Sequence, residues 1–236
     1  MKELFYNKRI LIIVAHPDDE LLGIGGTICR LKNEFNAIVG VVILGEGITS
    51  RADTRDVKKW ESELELHRSN IFDAKQTLGY DDLSLHAFPD NRFDSVALLD
   101  IVKILEEEIS TFKPDVIFTH HETDLNIDHQ YTFNAVITAT RPLEDKPGIS
   151  IFTFETPSST EWQFGKSNSR FQPNFFIEID EIGLKKKTDA MECYTYERRD
   201  YPHPRSTEAL LTLAKLRGFQ NGKKLAEAFM MIRTII

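Results

Sequence analysis

The amino-acid sequence predicts an α/β fold in which helices cover both faces of a mostly parallel β-sheet. Three runs, RILIIVA, AIVGVVIL and PDVIFTH, are continuously apolar and rich in β-branched residues, as strands buried on both faces are. A segment with helical periodicity follows each of these runs. Strands that alternate with helices in this way build parallel sheets through crossover connections.

The remaining elements follow from periodicity and from residues that end helices. Apolar residues from Leu98 to Ile109 recur at the spacing of one helix face, and Gly79 is a typical C-terminal cap for the preceding helix. The segment from Pro157 to Pro173 is rich in Ser, Asn and Gly, which predicts a long substrate-facing loop. In chain order, we predict strands over 9–15, 37–44, 83–88, 114–120, 149–155 and 174–180, and helices over 25–35, 55–78, 98–109, 129–140, 182–196 and 206–218.

Composition and charge indicate one soluble domain covering residues 1–236. The chain contains 41% hydrophobic and 28% charged residues, and its net charge is −8. The short run Lys185–Lys187 is interpreted as a solvated helix start, so no basic stripe remains and nucleic acid is not an expected partner. The two cysteines are far apart, and the N-terminal apolar run is too short for membrane insertion. We therefore expect a cytoplasmic protein.

Two clusters of His and Asp residues follow predicted strands. AHPDDE, residues 15–20, comes directly after RILIIV, and HHETDLNIDH, residues 120–129, comes after PDVIFT. The carboxyl ends of parallel strands meet at one edge of a sheet, so both clusters are expected at the same edge. Consecutive carboxylates repel one another unless a cation joins them, and a bound metal ion would supply that cation.

Several other interpretations of these motifs are open. GIGG lacks the G-x-G-x-x-G pattern of a nucleotide-binding turn, and the acids before it would repel a pyrophosphate. DLNID resembles the start of a calcium loop, but His129 and Ala135 stand where that loop needs Gly and Glu. His16, Asp18 and His129 match the H-x-D…H site of a non-haem Fe(II) oxygenase. The simplest alternative is that both clusters only cap strands and helices.

A hydrolytic metal site accounts for the doubled acid in AHPDDE. Two imidazoles and one carboxylate leave open coordination positions for water and substrate, as in catalytic zinc sites. A second carboxylate that does not bind the metal can then accept a proton from water. Asp18 and Asp19 supply one acid for each task. A metal-binding module without catalysis is the alternative from another class, and it would not need the second acid.

The same motifs resemble those of the LmbE-like (PIG-L) N-deacetylases. The main similarities are AHPDDE followed by GIGGT, and H-x-x-D-x-N-x-D-H after the fourth strand. LGEGITSR, FPDNRFD and RGFQNGKKLAEAF are further segments similar to that family, so the resemblance spans nearly the whole chain.

The resemblance implies a Rossmann-like fold and a divalent metal ion, usually zinc, or another such as Fe²⁺. It also implies hydrolysis of the N-acetyl group of an amino sugar or its conjugate, with N-acetylglucosamine as the type, and a homo-oligomer as in many relatives. By position, His16, Asp19 and His129 match the metal ligands. Asp18 matches the general base, and Asp128 matches a carboxylate that orients an imidazole.

The chain departs from the family pattern at positions that would contact the oxyanion and the sugar. Asn126 replaces a histidine found in many members, and His67 and Asn70 replace an arginine and a glutamate. We expect His203 to supply the missing imidazole, because the flanking prolines restrict its backbone. The competing donors are His67, His120 and His121. The expected substrate-binding residues are Asp90, at a position near the sugar in relatives, and Arg55, Arg68, Asn126, Trp162 and Arg205.

Overall fold

A computed structural model describes residues 2–144, 148–165 and 170–235 of the protein. Within these ranges, the strands are β1 (Arg9–Val14), β2 (Ile38–Gly45), β3 (Asp82–Phe88), β4 (Val116–His120), β5 (Ser150–Phe154), β6 (Phe175–Glu178) and β7 (Ala226–Arg233). They form one sheet in the order β3-β2-β1-β4-β5-β7-β6. Strands β1 to β5 run parallel, while β7 is antiparallel to both β5 and β6. The predicted mostly parallel α/β sheet is confirmed.

Helices cover both faces of this sheet. They are α1 (Lys2–Phe5), α2 (Asp19–Phe35), α3 (Glu61–Leu78), α4 (Leu98–Phe112), α5 (Ile127–Ala139), α6 (Glu181–Cys193) and α7 (Thr207–Phe219). Apolar residues of α2, α3 and α6 share one core, and those of α4 and α5 share the other. None of the helices in the described ranges has the length and apolarity that a membrane crossing requires.

Strand β1 contributes to both cores because its side chains alternate between the two faces of the sheet. Ile10 and Ile12 belong to the core under α2, whereas Leu11 and Ile13 belong to the core under α4. All four side chains are buried. This burial on both faces explains why RILIIV is continuously apolar.

The glycines of GIGGT allow α2 to lie close to the sheet. A Cβ atom at Gly23 would come within 2.3 Å of the Phe154 ring, and one at Gly26 within 2.7 Å of Ile179. Side chains at these positions would clash with β5 and with the segment after β6. The glycines therefore serve packing, which agrees with the rejection of a nucleotide-binding turn.

The order of the strands brings the two His/Asp clusters together. Strands β1 and β4 are neighbours at the point where the chain, having built β2 and β3 on one side, crosses to build β4 and β5 on the other. Such a switch point opens a crevice at the carboxyl ends of the strands. AHPDDE and HHETDLNIDH begin at those ends, so both clusters lie at the same edge, as predicted.

The structure corrects three features of the sequence-based prediction. The chain does not end on two helices, because β7 follows α7 and inserts between β5 and β6. AEAFMMIR is rich in helix-favouring Ala, Met and Glu, and pairing with two strands overrides that preference. Lys187 is not solvated but 5% exposed, and it pairs with Glu227 of β7 at 2.6 Å. The helix predicted over 55–78 begins only at Glu61.

Part of the predicted loop over 157–173 lies outside the described residues, since positions 166–169 are not among them. In the described part, Thr160–Trp162 forms a short 3-10 turn. This turn is anchored next to the crevice, because Ser159 Oγ accepts a hydrogen bond from the Asn126 N–H at 3.2 Å.

Candidate metal and active site

The AHPDDE segment makes a tight turn between β1 and α2. Asp18 has a φ of 97°, in the left-handed region that side chains other than glycine rarely adopt. Its carbonyl accepts the Leu22 N–H at 3.0 Å and so begins the helix. The N–H of His16 donates to Asp19 Oδ2 at 2.8 Å, which fixes the Asp19 carboxylate beneath the turn. Both aspartates are 1% exposed.

Three side chains of the two clusters converge on one point. Asp19 Oδ2 lies 3.5 Å from His16 Nδ1 and 3.3 Å from His129 Nε2. One ligating atom from each of the three residues lies within 4.8 Å of the others. Two imidazoles and a carboxylate at this separation are a donor set that suits a divalent ion such as zinc. His16, Asp19 and His129 are the residues that sequence reasoning selected as ligands.

In His16 and His129, the ring nitrogen that does not face Asp19 faces another carboxylate. His16 Nε2 lies 2.9 Å from Asp128 Oδ2, and the other oxygen of Asp128 accepts the Phe93 N–H at 2.9 Å. His129 Nδ1 lies 3.2 Å from Asp124 Oδ1. Carboxylates placed in this way hold imidazoles in the orientation and tautomer that expose the opposite nitrogen to a metal.

A second group of possible ligands shares His16. His16, Asp90 and Asp128 also bring one ligating atom each within 4.8 Å. However, both oxygens of Asp128 already accept hydrogen bonds, and Asp90 Oδ2 accepts the Ser50 N–H at 2.9 Å. This group is therefore better explained as the hydrogen-bonded support of His16. Asp18 belongs to neither group, which disfavours the H-x-D…H triad of an oxygenase within the described residues.

Asp124 is a site residue that sequence reasoning missed. Its carboxylate accepts hydrogen bonds from the Ser159 hydroxyl, the Thr160 hydroxyl and the Asn126 N–H, and it faces His129. Burial would raise the pKa of Asp124, but these contacts lower it to about 2. Asp124 is the first residue of the D-x-N-x-D-H spacing, which is the sequence signal that identifies it.

The carboxylates of the cluster favour protonation of the two imidazoles. Burial opposes a charge on His129, but Asp19 and Asp124 outweigh it and raise the pKa of His129 to about 9. Burial likewise opposes a charge on His16, yet contacts with Asp128 and Asp19 place its pKa well above the usual value. Both imidazoles therefore hold protons at neutral pH when no cation is present. A divalent ion would replace those protons.

Asp18 occupies a different environment beside this cluster. Burial raises the pKa of Asp18 well above its ordinary value, although Arg205 opposes that shift. Arg205 Nη1 lies 2.9 Å from Asp18 Oδ2 and 2.5 Å from Glu197 Oε2, and Arg205 Nε donates to Ser158 Oγ at 2.8 Å. Arg205 thus links the base of the crevice to the loop after β5.

A cavity of about 130 Å³ opens onto the cluster. Arg51 and Glu197 line this cavity. The lining also includes six residues that the sequence analysis names, and they are His16, Asp18, His67, Asp90, Asn126 and Arg205. A larger cavity of about 970 Å³ lies at the opposite edge of the sheet, near Lys113 and Ser150. The smaller cavity is the one that adjoins the His/Asp cluster.

Comparisons with known proteins identify the family of this chain. The PIG-L family model, described as GlcNAc-PI de-N-acetylase, matches residues 11–140. An uncharacterized deacetylase of Escherichia coli, YaiS, is 31% identical over 193 residues, which cover 79% of this chain and 91% of that protein. The chain belongs to the PIG-L family. A probable N-acetyl-alpha-D-glucosaminyl L-malate deacetylase of Bacillus subtilis is 26% identical over 144 residues, 59% of this chain and 65% of that protein.

Solved structures share the fold of this PIG-L family member along most of its length. An N,N'-diacetylchitobiose deacetylase from Pyrococcus horikoshii has a TM-score of 0.74 at 19% identity, over 95% of this chain and 84% of that one. GalB, a 4-carboxy-2-hydroxymuconate hydratase from Pseudomonas putida, has a TM-score of 0.73 at 21% identity, over 97% and 98%. The fold therefore does not determine the reaction by itself.

His120 is a further buried imidazole next to the candidate site of this PIG-L family member. Its Nε2 accepts the Ala15 N–H at 3.0 Å, so its proton is on Nδ1, which lies 3.2 Å from the Thr156 hydroxyl. Burial lowers the pKa of His120 to about 4. Its ring stacks on His129 with the centroids 3.8 Å apart. His120 is thus neutral, with both nitrogens engaged, and it supports His129 rather than a substrate.

The other residues expected to bind substrate lie further out. Arg55 forms two hydrogen bonds with the Glu46 carboxylate, at 2.7 and 2.8 Å, and Arg68 is exposed on α3. Trp162 is 39% exposed, and its ring lies edge-on to His203 with the centroids 6.0 Å apart. Among the described residues, the cavity lining includes Arg205 but not Arg55, Arg68, Trp162 or His203.

Proposed function

We propose that this PIG-L family member is a zinc-dependent hydrolase that removes the N-acetyl group from an amino sugar or its conjugate. The observation that carries the proposal is the His16–Asp19–His129 donor set, with a buried carboxylate, Asp18, beside it and outside the set. The homologues named above as deacetylases support the same reaction class.

In this proposal, His16, Asp19 and His129 hold the divalent ion, and Asp128 and Asp124 orient the two imidazoles. When bound, the ion supplies Lewis acidity and lowers the pKa of water from ~15.7 towards ~7. The donor set fits such an ion because the nitrogens that face Asp19 are the ones left free by the orienting carboxylates.

Asp18 is the proposed general base. Because its pKa is raised by burial, its carboxylate takes up a proton from water more readily than an exposed aspartate does. The ion pair with Arg205 keeps the Asp18 carboxylate in place. The proton held by Asp18 can then pass to the departing amine.

His203 is the proposed imidazole donor to the oxyanion. Its Nδ1 accepts the Arg205 N–H at 3.2 Å, so a neutral His203 carries its proton on Nε2. Burial and the charge of Arg205 lower the pKa of His203, which favours that neutral form. The amide of Asn126, which replaces the histidine of many relatives, lines the cavity but is held by Asn91 and by the start of α5.

The substrate class is the part of the proposal that an assay tests directly. The metal-loaded protein should release acetate from at least one N-acetylated sugar in a set containing N-acetylglucosamine, N,N'-diacetylchitobiose and N-acetylglucosaminyl L-malate. Chelation should stop the release, and zinc should restore it. A fully metallated protein that releases no acetate from any of these compounds would refute the proposal. Acetate release that needs dioxygen would point to an oxygenase instead.

A further inference from the structure

His67 is a buried imidazole that lines the cavity from the side of α3. It is 1% exposed, and its ring lies edge-on to Tyr194 with the centroids 5.8 Å apart. Gly47, at a φ of 70°, passes directly over it, and a Cβ atom at Gly47 would lie 2.8 Å from His67 Nε2. The glycine therefore lets the loop after β2 approach the imidazole, and the two residues form one wall of the cavity.

Neither ring nitrogen of His67 has a hydrogen-bond partner in residues 2–144, 148–165 and 170–235. Burial lowers the pKa of His67 to about 4, so the ring is neutral and offers one N–H donor and one acceptor. A buried polar group without a partner is costly and is unusual in proteins unless a ligand or water completes it. A sugar hydroxyl, which both donates and accepts, would match either nitrogen.

The charged residues of the same cavity are already paired with one another. Arg51 contacts Glu197 at 2.5 Å, and Arg205 contacts both Glu197 and Asp18. Asp90 adds a further carboxylate to the wall. The two arginines of this lining are thus neutralised, and an anionic group on a substrate would meet carboxylates without gaining an unpaired guanidinium.

We infer that this cavity selects uncharged N-acetylated sugars over sugar phosphates and carboxylates, and that His67 is the positioning residue that binds a sugar hydroxyl there. The inference rests on the proposed function and narrows its substrate class. It follows from two observations. The His67 imidazole has no hydrogen-bond partner within the described ranges, and the two arginines are paired with carboxylates of the same cavity.

Matched substrates test the charge selection. The kcat/KM of the metal-loaded protein should be at least about tenfold lower for N-acetylglucosamine 1-phosphate and 6-phosphate than for methyl N-acetylglucosaminide, because each phosphate adds repulsion near two or three carboxylates. Equal or faster turnover of either phosphate would overturn the inference while leaving the deacetylase proposal intact.

Variants of His67 test its part in binding. His67→Leu should raise KM for the methyl glycoside about tenfold with little change in kcat, because the hydroxyl loses its partner in both ground and transition states. His67→Gln, which keeps a donor and an acceptor, should restore most of that loss. His67→Arg should shift the preference towards the phosphates. Ser69→Arg, at an exposed position of the same helix, is the matched charge control and should change nothing.

Binding separates this inference from the reaction itself. Calorimetry with the metal-free protein should rank the methyl glycoside above both phosphates, and His67→Leu should abolish that ranking or weaken binding of the methyl glycoside. This result would stand even if no acetate were released. An unchanged KM and unchanged binding in His67→Leu, with folding verified by circular dichroism, would show that His67 does not contact the sugar.

Discussion

Helix α2 meets buried charges at two places, and the two groups differ in whether their charges cancel. At the middle of the helix, Lys187 Nζ lies 2.6 Å from Glu227 Oε1 and donates to the Leu22 carbonyl at 2.8 Å. The Glu227 carboxylate also accepts the N–H groups of Gly26 and Thr27, at 3.1 and 2.7 Å. One positive charge meets one negative charge, with hydrogen bonds around both.

At the first turn of the same helix, the charges do not cancel. Buried carboxylates contact His16, His129 or Arg205, and they are Asp18, Asp19, Asp90, Asp124 and Asp128. If all five are ionised, the charge of Arg205 leaves an excess of four negative charges, and protons on both imidazoles reduce that excess to two. A divalent cation would take the place of those two protons. Buried charge that is paired within the chain becomes costly when one partner is removed, whereas buried charge that needs a proton or a cation indicates a candidate functional site.

The interior pair should show the largest effect of any single substitution on stability. Glu227→Leu or Lys187→Met should lower the free energy of unfolding by about 3–5 kcal/mol, because each leaves its partner buried and unpaired. The double variant should recover much of the loss. Urea unfolding of the three variants measures these values, and a double variant no more stable than either single one would contradict the charge-pair explanation.

Substitution of Asp18 should have the opposite pattern, with a large effect on activity and a small effect on stability. Asp18→Asn should keep the metal yet lower kcat by about 10²–10⁴-fold, because the amide cannot accept the proton of water. Metal content and turnover of the same preparation give both quantities. Loss of the metal in this variant would place Asp18 among the ligands, as the oxygenase triad requires.

His203 lies beside Trp162 and outside both groups of possible metal ligands, and its substitution tests the proposed oxyanion donor. His203→Ala should retain metal and fold and lower kcat by about 10²-fold with little change in KM, the pattern expected when only transition-state binding is lost. Steady-state kinetics on the sugar that the acetate assay identifies supply the test. Near-normal turnover here, with collapse in His121→Ala, would assign the imidazole donor to the motif after β4.

The excess of buried carboxylates also predicts how the stability of the metal-free protein changes with pH. The pKa of His129 is raised to about 9, so its contribution to stability is complete below about 6.5 and is lost as pH rises towards 9. Metal binding needs the neutral imidazole and should release protons, so apparent metal affinity should rise over the same range. Thermal melts and zinc titrations from pH 6 to 9 check both trends. A zinc affinity independent of pH would contradict the assignment of His129 as a ligand that must lose a proton before it binds the metal.

Sequence reasoning selects candidate residues where the signal is local and misses contacts whose partners are distant in the chain. AHPDDE and the D-x-N-x-D-H spacing contain all three proposed metal ligands in two short segments that follow recognisable strands. Lys187 and Glu227 are 40 residues apart, and nothing local in either segment indicates that β7 inserts beside β5. The burial of His67 likewise depends on Gly47 and Tyr194, which only the folded chain brings next to it.

Metal content tests the central claim most directly. Elemental analysis should find about one divalent ion per chain in the wild-type protein and in Glu227→Gln, because the interior pair contributes no ligand. His129→Ala should contain none while remaining folded. Full occupancy in folded His129→Ala, or no ion in a wild-type protein saturated with zinc, would contradict the assignment of the uncancelled charges to a metal site.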